Sequence, residues 1–103
     1  HTALLGPEGS GAELRELAQG AVRPFLAEPE RQLRLDGPPL RVGPKAGLAL
    51  TLAFHELATN AAKHGALGAP GGLVRVAWAV EGDRLALDWR EEGGPPAREP
   101  EET

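Results

Sequence analysis

The stretch PKAGLALTLAFHELATNAAKHG, Pro44 to Gly65, is the longest in the chain with a single legible period. Leu50, Phe54, Leu57 and Ala61 recur at i, i+4, i+7 and i+11, which places them on one side of an α-helix. Pro44 suits a first turn, where its missing N–H would have had no partner, and Gly65 suits a stop. The spacing predicts a helix over 44–65 with one buried stripe.

Beyond that helix the period changes. After a loop at 68–72, the run from Leu73 to Val80 alternates, with Val74, Val76, Trp78 and Val80 on one face. Glu81-Gly82-Asp83 reads as a turn, and Arg84 to Arg90 alternates again with Leu85, Leu87 and Trp89 inward. This is a β-hairpin with one apolar face, best covered by the long helix. From Glu91 on, glycines, prolines and acids predict no further element.

Upstream, Gly11 to Ala27 carries apolar residues at helical spacing through Leu14, Leu17, Ala18, Ala21, Val22 and Phe25. Ser10 and Glu13 form a candidate capping box, and Pro24 bends or ends this helix early. Gln32 to Asp36 alternates until Gly37-Pro38-Pro39 breaks it, and Leu40-Arg41-Val42 suggests another short strand. The two read as a hairpin or as separate edge pieces. Residues 1–10 look like a linker. The order helix, short strands, long helix, hairpin predicts an α+β fold, a two-layer sandwich with helices on one face of a mixed or antiparallel sheet.

The chain has 103 residues and 10.8 kDa, enough for one domain. Its 14 glycines and 10 prolines leave a thin core. A net charge of −4 and a pI near 5.3 argue against nucleic-acid binding through a basic field. Without cysteine there is no disulfide framework, thiol chemistry or cysteine metal site. No apolar run approaches the roughly 18 residues of a membrane span, so no direct membrane contact is expected. The first residue is His1 rather than Met, and the sequence reads as a soluble, cytoplasmic segment of something longer.

The long helix also carries polar residues in phase. At roughly 100° per residue, Glu56, Asn60 and Lys63 fall within roughly 60° of one another, with His64 at the edge of the arc. They stand rotated by roughly 100° from the apolar stripe. An amide and a carboxylate are hard oxygen ligands suited to a hydrated Mg²⁺, and a lysine one turn on can meet phosphate. A solvated helix face shows the same spacing, so the pattern by itself leaves both accounts open. Zinc is excluded: His55-Glu56 begins an H-E-x-x-H pattern, but Thr59 stands where the second His is required. No G-x-x-x-x-G-K-[ST] phosphate loop occurs either.

The second feature is Trp89-Arg90-Glu91-Glu92-Gly93-Gly94, a strand running into a glycine turn. Adjacent glycines let backbone approach a flat ligand, and the carboxylate before them would accept from an exocyclic amine. An ordinary strand end reads the same way, and Trp89 alone reads as a core aromatic.

Together these residues resemble a known family. The run His55 to Leu67 is similar to the asparagine box of sensor histidine kinases. With Trp89-Arg90-Glu91 before the glycines, it resembles the HWE subfamily over about Ala12 to Pro96. The resemblance implies the Bergerat ATP-binding sandwich, with ATP and Mg²⁺ as cofactors. It implies that Asn60 coordinates Mg²⁺, that Glu56 is the catalytic polar or general-base residue near the γ-phosphate, and that Lys63 and His64 contact phosphates. Glu91 would read the adenine amino group, with Gly93 closing the backbone around the base, while Glu92 and Gly94 serve as spacing.

The resemblance further implies that 1–10 is a linker from a dimerisation and phosphoacceptor region, and that 11–103 is the ATP-binding domain. That domain would stop before the second glycine box and so be incomplete at its C-terminus. The expected function is the nucleotide-binding part of a two-component histidine kinase. It would serve phosphoryl transfer to a His on its own dimerisation domain and then to a response-regulator receiver domain, and be inactive alone. The alternatives are an ATPase-like docking module that binds a protein partner, and an unrelated structural α+β domain.

Overall fold

A computed structural model describes residues 2–4 and 11–93 of the chain, and of residues 2–4 the backbone alone. Ser10, proposed as a helix cap, and the segment from Gly94 onward lie outside the described residues. In chain order the elements are β1 (Thr2–Leu4), β2 (Ala12–Glu13), α1 (Leu14–Val22), α2 (Pro29–Gln32), β3 (Leu33–Asp36), β4 (Arg41–Val42), α3 (Pro44–His64), β5 (Leu73–Glu81) and β6 (Arg84–Glu92). Single 3₁₀ turns at Arg23–Phe25 and Ala66–Gly68 follow the two longer helices.

The main sheet has the order β1-β6-β5-β3, with β3 parallel to β5 and the other pairs antiparallel. It is a mixed sheet, and the protein is a mixed α/β fold. The hairpin closes through Gly82-Asp83, with Gly82 at φ +66° and Glu81 opposite Arg84. A glycine first in a two-residue turn matches the twist of the strands it joins. Within the stretch read as linker, Thr2–Leu4 pair with Arg84–Ala86 as an edge strand. β3 and β4 are edge pieces rather than a hairpin. β4 pairs with β2 in a separate two-stranded sheet, while β3 flanks β5.

One core joins both helices to one face of the sheet. It contains Leu14, Ala18 and Val22 of α1, Leu50, Phe54, Ala58 and Ala61 of α3, and Val74, Val76, Trp78 and Leu85 of the hairpin. Burying a side chain the size of Phe54 contributes roughly 2–3 kcal/mol. Val80, expected on this face, is 40% exposed at the end of the hairpin. The buried side of α3 is also centred differently from the expected stripe. Ala58 is fully buried and Leu57 only half-buried, while Gly47 is buried where an added Cβ would touch Leu17 and Val42 at 3.6 Å. Small residues at Gly47, Ala58 and Ala61 bring the neighbouring elements close to the helix axis, so they, rather than Leu57, define the centre of contact.

Buried polar groups hold the connections. Gln32, 5% exposed, accepts the amides of Ala27 and Glu28 on Oε1, both at 2.8 Å, and so fixes the turn into β3. The Trp78 indole donates to the Pro38 carbonyl at 2.8 Å. Arg15 lies over that indole at 5.2 Å while its fork donates to the carbonyls of Leu35 and Gly37. Among the described residues no side-chain cap forms at α1: Glu13, its extended N-cap residue, ends β2 and pairs with Arg41 of β4. The Leu14 amide donates instead to the Leu40 carbonyl at 2.8 Å. Pro24 sits in the 3₁₀ turn that ends α1, as its fixed φ and missing donor require.

Candidate functional site

Helix α3 runs its full predicted length and ends at Gly65. Glu56, Asn60, Lys63 and His64 are all exposed on it. None of their side chains makes a hydrogen bond or ion pair among the described residues. The Glu56 carbonyl, not its carboxylate, takes the Thr59 hydroxyl at 2.9 Å. With the buried side centred on Gly47, Ala58 and Ala61, the Glu56–Lys63 arc stands roughly 150° from it, farther round than expected.

Asn60 and His64 belong to a second alignment. Ala53, Leu57, Asn60 and His64 follow i, i+4, i+7 and i+11, one flank of the helix. The first two residues line a cavity of about 280 Å³ shared with Phe54, Val76, Leu87, Asp88 and Trp89. This flank therefore faces β6: apolar where it borders the cavity, then polar over its last two turns. Glu56 and Lys63 turn away from it toward solvent.

Glu91 stands opposite Val74, on the face of the sheet that α3 covers. Its Oε1 accepts the Ala66 amide at 3.0 Å and its Oε2 accepts the Trp89 indole N–H at 3.1 Å. A Cβ on Gly65 would stand 2.1 Å from Oε1, so the close approach of the helix end to the carboxylate requires glycine there. Asn60 lies on α3 between Leu57, which shares the cavity with Trp89, and Gly65, which abuts Glu91. Asn60 and His64 thus follow Leu57 along the flank of α3 that borders the cavity, and the helix they lie on ends at Gly65 beside Glu91.

Glu92 points to the other face and pairs with Arg75 at 2.7 Å, which leaves it outside the helix–sheet seam. Gly93 follows β6 at φ +71°, where an added Cβ would meet the Gly71 carbonyl at 2.8 Å. His55 packs edge-on against Phe25, with centroids 5.7 Å apart, and stays away from His64. The sequence did not assign a partner to Trp89 or a place in the site to Gly65. The signal available was the i, i+2 spacing of Trp89 and Glu91, which puts both on one face of a strand.

Among the described residues no three His, Cys, Asp or Glu side chains converge on a metal position. A cation at this end of α3 would have the free Asn60 amide oxygen as protein ligand and would draw its other ligands from water and a bound anion. Mg²⁺ keeps several of its waters and is commonly shared with substrate phosphates. Among the described residues no helix is long and apolar enough to cross a membrane.

No family model matches the chain. A blue-light-activated histidine kinase of Erythrobacter litoralis is 37% identical over 89 residues, covering 86% of this chain and 25% of that protein. Blue-light-activated histidine kinases of Brucella ovis and Brucella abortus are 35% identical over 104 residues, covering 97% of this chain and 21% of each. The chain thus spans a quarter or less of the length of these curated relatives.

Proposed function

The chain is homologous to a stretch of the histidine kinases, and on that premise we propose that it is the ATP-binding part of such an enzyme, of HWE type and Bergerat architecture. The observation that carries the reading is the seam itself. A free amide and imidazole continue the flank of α3 beyond an apolar cavity, next to a carboxylate held at the strand end. The domain is built mainly from residue 11 on, with Thr2–Leu4 adding an edge strand to its sheet, and 1–10 lead in from a dimerisation and phosphoacceptor region.

In this reading Glu91 accepts the adenine amino group and Gly93 lets the backbone pass close to the base. Lys63 and His64, in the last turn of α3, meet the phosphates. Asn60 offers its amide oxygen to Mg²⁺, which when bound neutralises phosphate charge. Glu56, unpaired on the same helix, is the polar or general-base residue near the γ-phosphate. Positioning and charge supply most of what phosphoryl transfer needs. The acceptor His and the response-regulator Asp belong to partner domains, and the setting is cytoplasmic.

A docking module is the second reading, favoured by one observation: Leu48 and Leu52 of α3 are 63% and 61% exposed. Calorimetric titration of the chain with ADP, with and without Mg²⁺, separates the two. Binding strengthened by Mg²⁺ supports the nucleotide site. A folded chain with no ADP binding leaves the docking reading in its place.

A further inference from the structure

Of the two site carboxylates, Glu56 is free and Glu91 is held. Ala66 N–H and the Trp89 indole N–H each take one oxygen of Glu91, at 3.0 and 3.1 Å. Donors on both oxygens fix the plane of the carboxylate as well as its position. An ionised carboxylate has about four acceptor positions, so about two stay open, and the residue remains exposed. Trp89 is itself anchored, because it is partly buried against the core that includes Phe54 and Val76 and lines the α3–β6 cavity beside Leu57 and Leu87. The aim of Glu91 is therefore set by the core through Trp89.

We propose that Trp89 is a positioning residue for Glu91, holding its carboxylate so that the site selects a purine with a 6-amino group over one with a 6-oxo group. This rests on the nucleotide reading above. A carboxylate accepts only, so it pairs with an amino donor and repels a carbonyl presented at the same place. The Glu91 side chain reaches from β6 to the Ala66 amide at 3.0 Å. Gly65 leaves the space that reach needs, since a Cβ there would stand 2.1 Å from Oε1.

The test compares affinities for Mg·ADP and Mg·IDP, the 6-oxo analogue, in the parent chain, Trp89→Phe and Glu91→Gln, with a thermal melt of each. Trp89→Phe keeps the aromatic bulk and removes the donor. It is expected to stay folded, with a melt lower by at most the few degrees that one exposed hydrogen bond is worth, and to keep its IDP affinity while losing ADP affinity by about three- to tenfold, the scale of one directed hydrogen bond. Glu91→Gln, which can donate from its amide, is expected to move the preference toward IDP. An unchanged ADP-to-IDP ratio in Trp89→Phe, or an equal loss for both ligands, overturns the proposal and leaves the Trp89–Glu91 bond as a latch within the fold. A parent that binds ADP with such a ratio still supports the nucleotide site. A parent that binds neither nucleotide overturns that reading and the proposal together.

Discussion

Gly65 and Glu91 approach so closely that a single methyl group on Gly65 would stand 2.1 Å from the Glu91 carboxylate. The contact joins the end of α3 to the end of β6, and it ties a helix stop to a site residue. Gly65→Ala is therefore expected to displace the carboxylate rather than unfold the protein, because the obstructing atom ends a flexible side chain. The cost is that of one hydrogen bond, about 1 kcal/mol, or a melting point lower by roughly 4–8 °C in a domain of this size. Thermal melts beside ADP titrations check this. ADP affinity should fall in Gly65→Ala while the fold survives, and a loss of several kcal/mol would show that Glu91 cannot move aside.

Gly37 makes the opposite kind of contact. A Cβ there would meet the Trp78 ring at 2.4–2.5 Å, and that ring is 5% exposed, bonded to the Pro38 carbonyl and covered by Arg15. Nothing flexible can yield. Gly37→Ala is expected to cost about 2–3 kcal/mol or more, as overpacking does in a filled core. Trp78→Phe, which loses the indole hydrogen bond but keeps an aromatic ring, should cost less. Urea midpoints of the two variants give the order, and the reverse order would mean that the ring shifts freely.

The long helix, the hairpin and the exposed polar arc were legible because each rests on a period carried by consecutive residues. What local pattern could not give was where neighbouring elements press. Leu57 satisfies the helical period better than Ala58, yet Ala58 is buried, since close packing selects small residues that periodicity ranks low. The separation of β3 and β4 into two sheets, and the pairing of Thr2–Leu4 with β6, are long-range choices with no local mark. The types and spacing of the site residues stood in the sequence. The bond from Trp89 to Glu91 and the clearance at Gly65 did not, because both depend on how the end of α3 meets β6.

Two large apolar positions on α3 provide an internal control for the core. Phe54 is 2% exposed and Leu52 is 61% exposed, two residues apart on the same helix. Phe54→Ala is expected to destabilise by about 3–5 kcal/mol, which in so small a protein threatens the fold. Leu52→Ala should change stability by about 0.5 kcal/mol or less. Chemical denaturation of both variants measures the contrast. A large loss at Leu52 would reveal that its exposed side is covered in solution.

Asn60 gives the sharpest separation of site from fold. Its side chain is exposed and bonds to nothing among the described residues, so the structure has no stake in the amide. Alanine is the better helix former by roughly 0.5 kcal/mol, and Asn60→Ala should melt at or slightly above the parent temperature. If the amide oxygen holds Mg²⁺, the variant loses the gain in ADP affinity that Mg²⁺ brings, about tenfold or more, while metal-free ADP binding stays unchanged. Glu56→Gln, on the same helix but turned toward solvent, should keep the Mg²⁺ gain. Titrations with and without the metal read both variants directly. Equal Mg²⁺ dependence in Asn60→Ala and the parent removes Asn60 as the ligand. A loss without the metal would instead place the amide on the nucleotide.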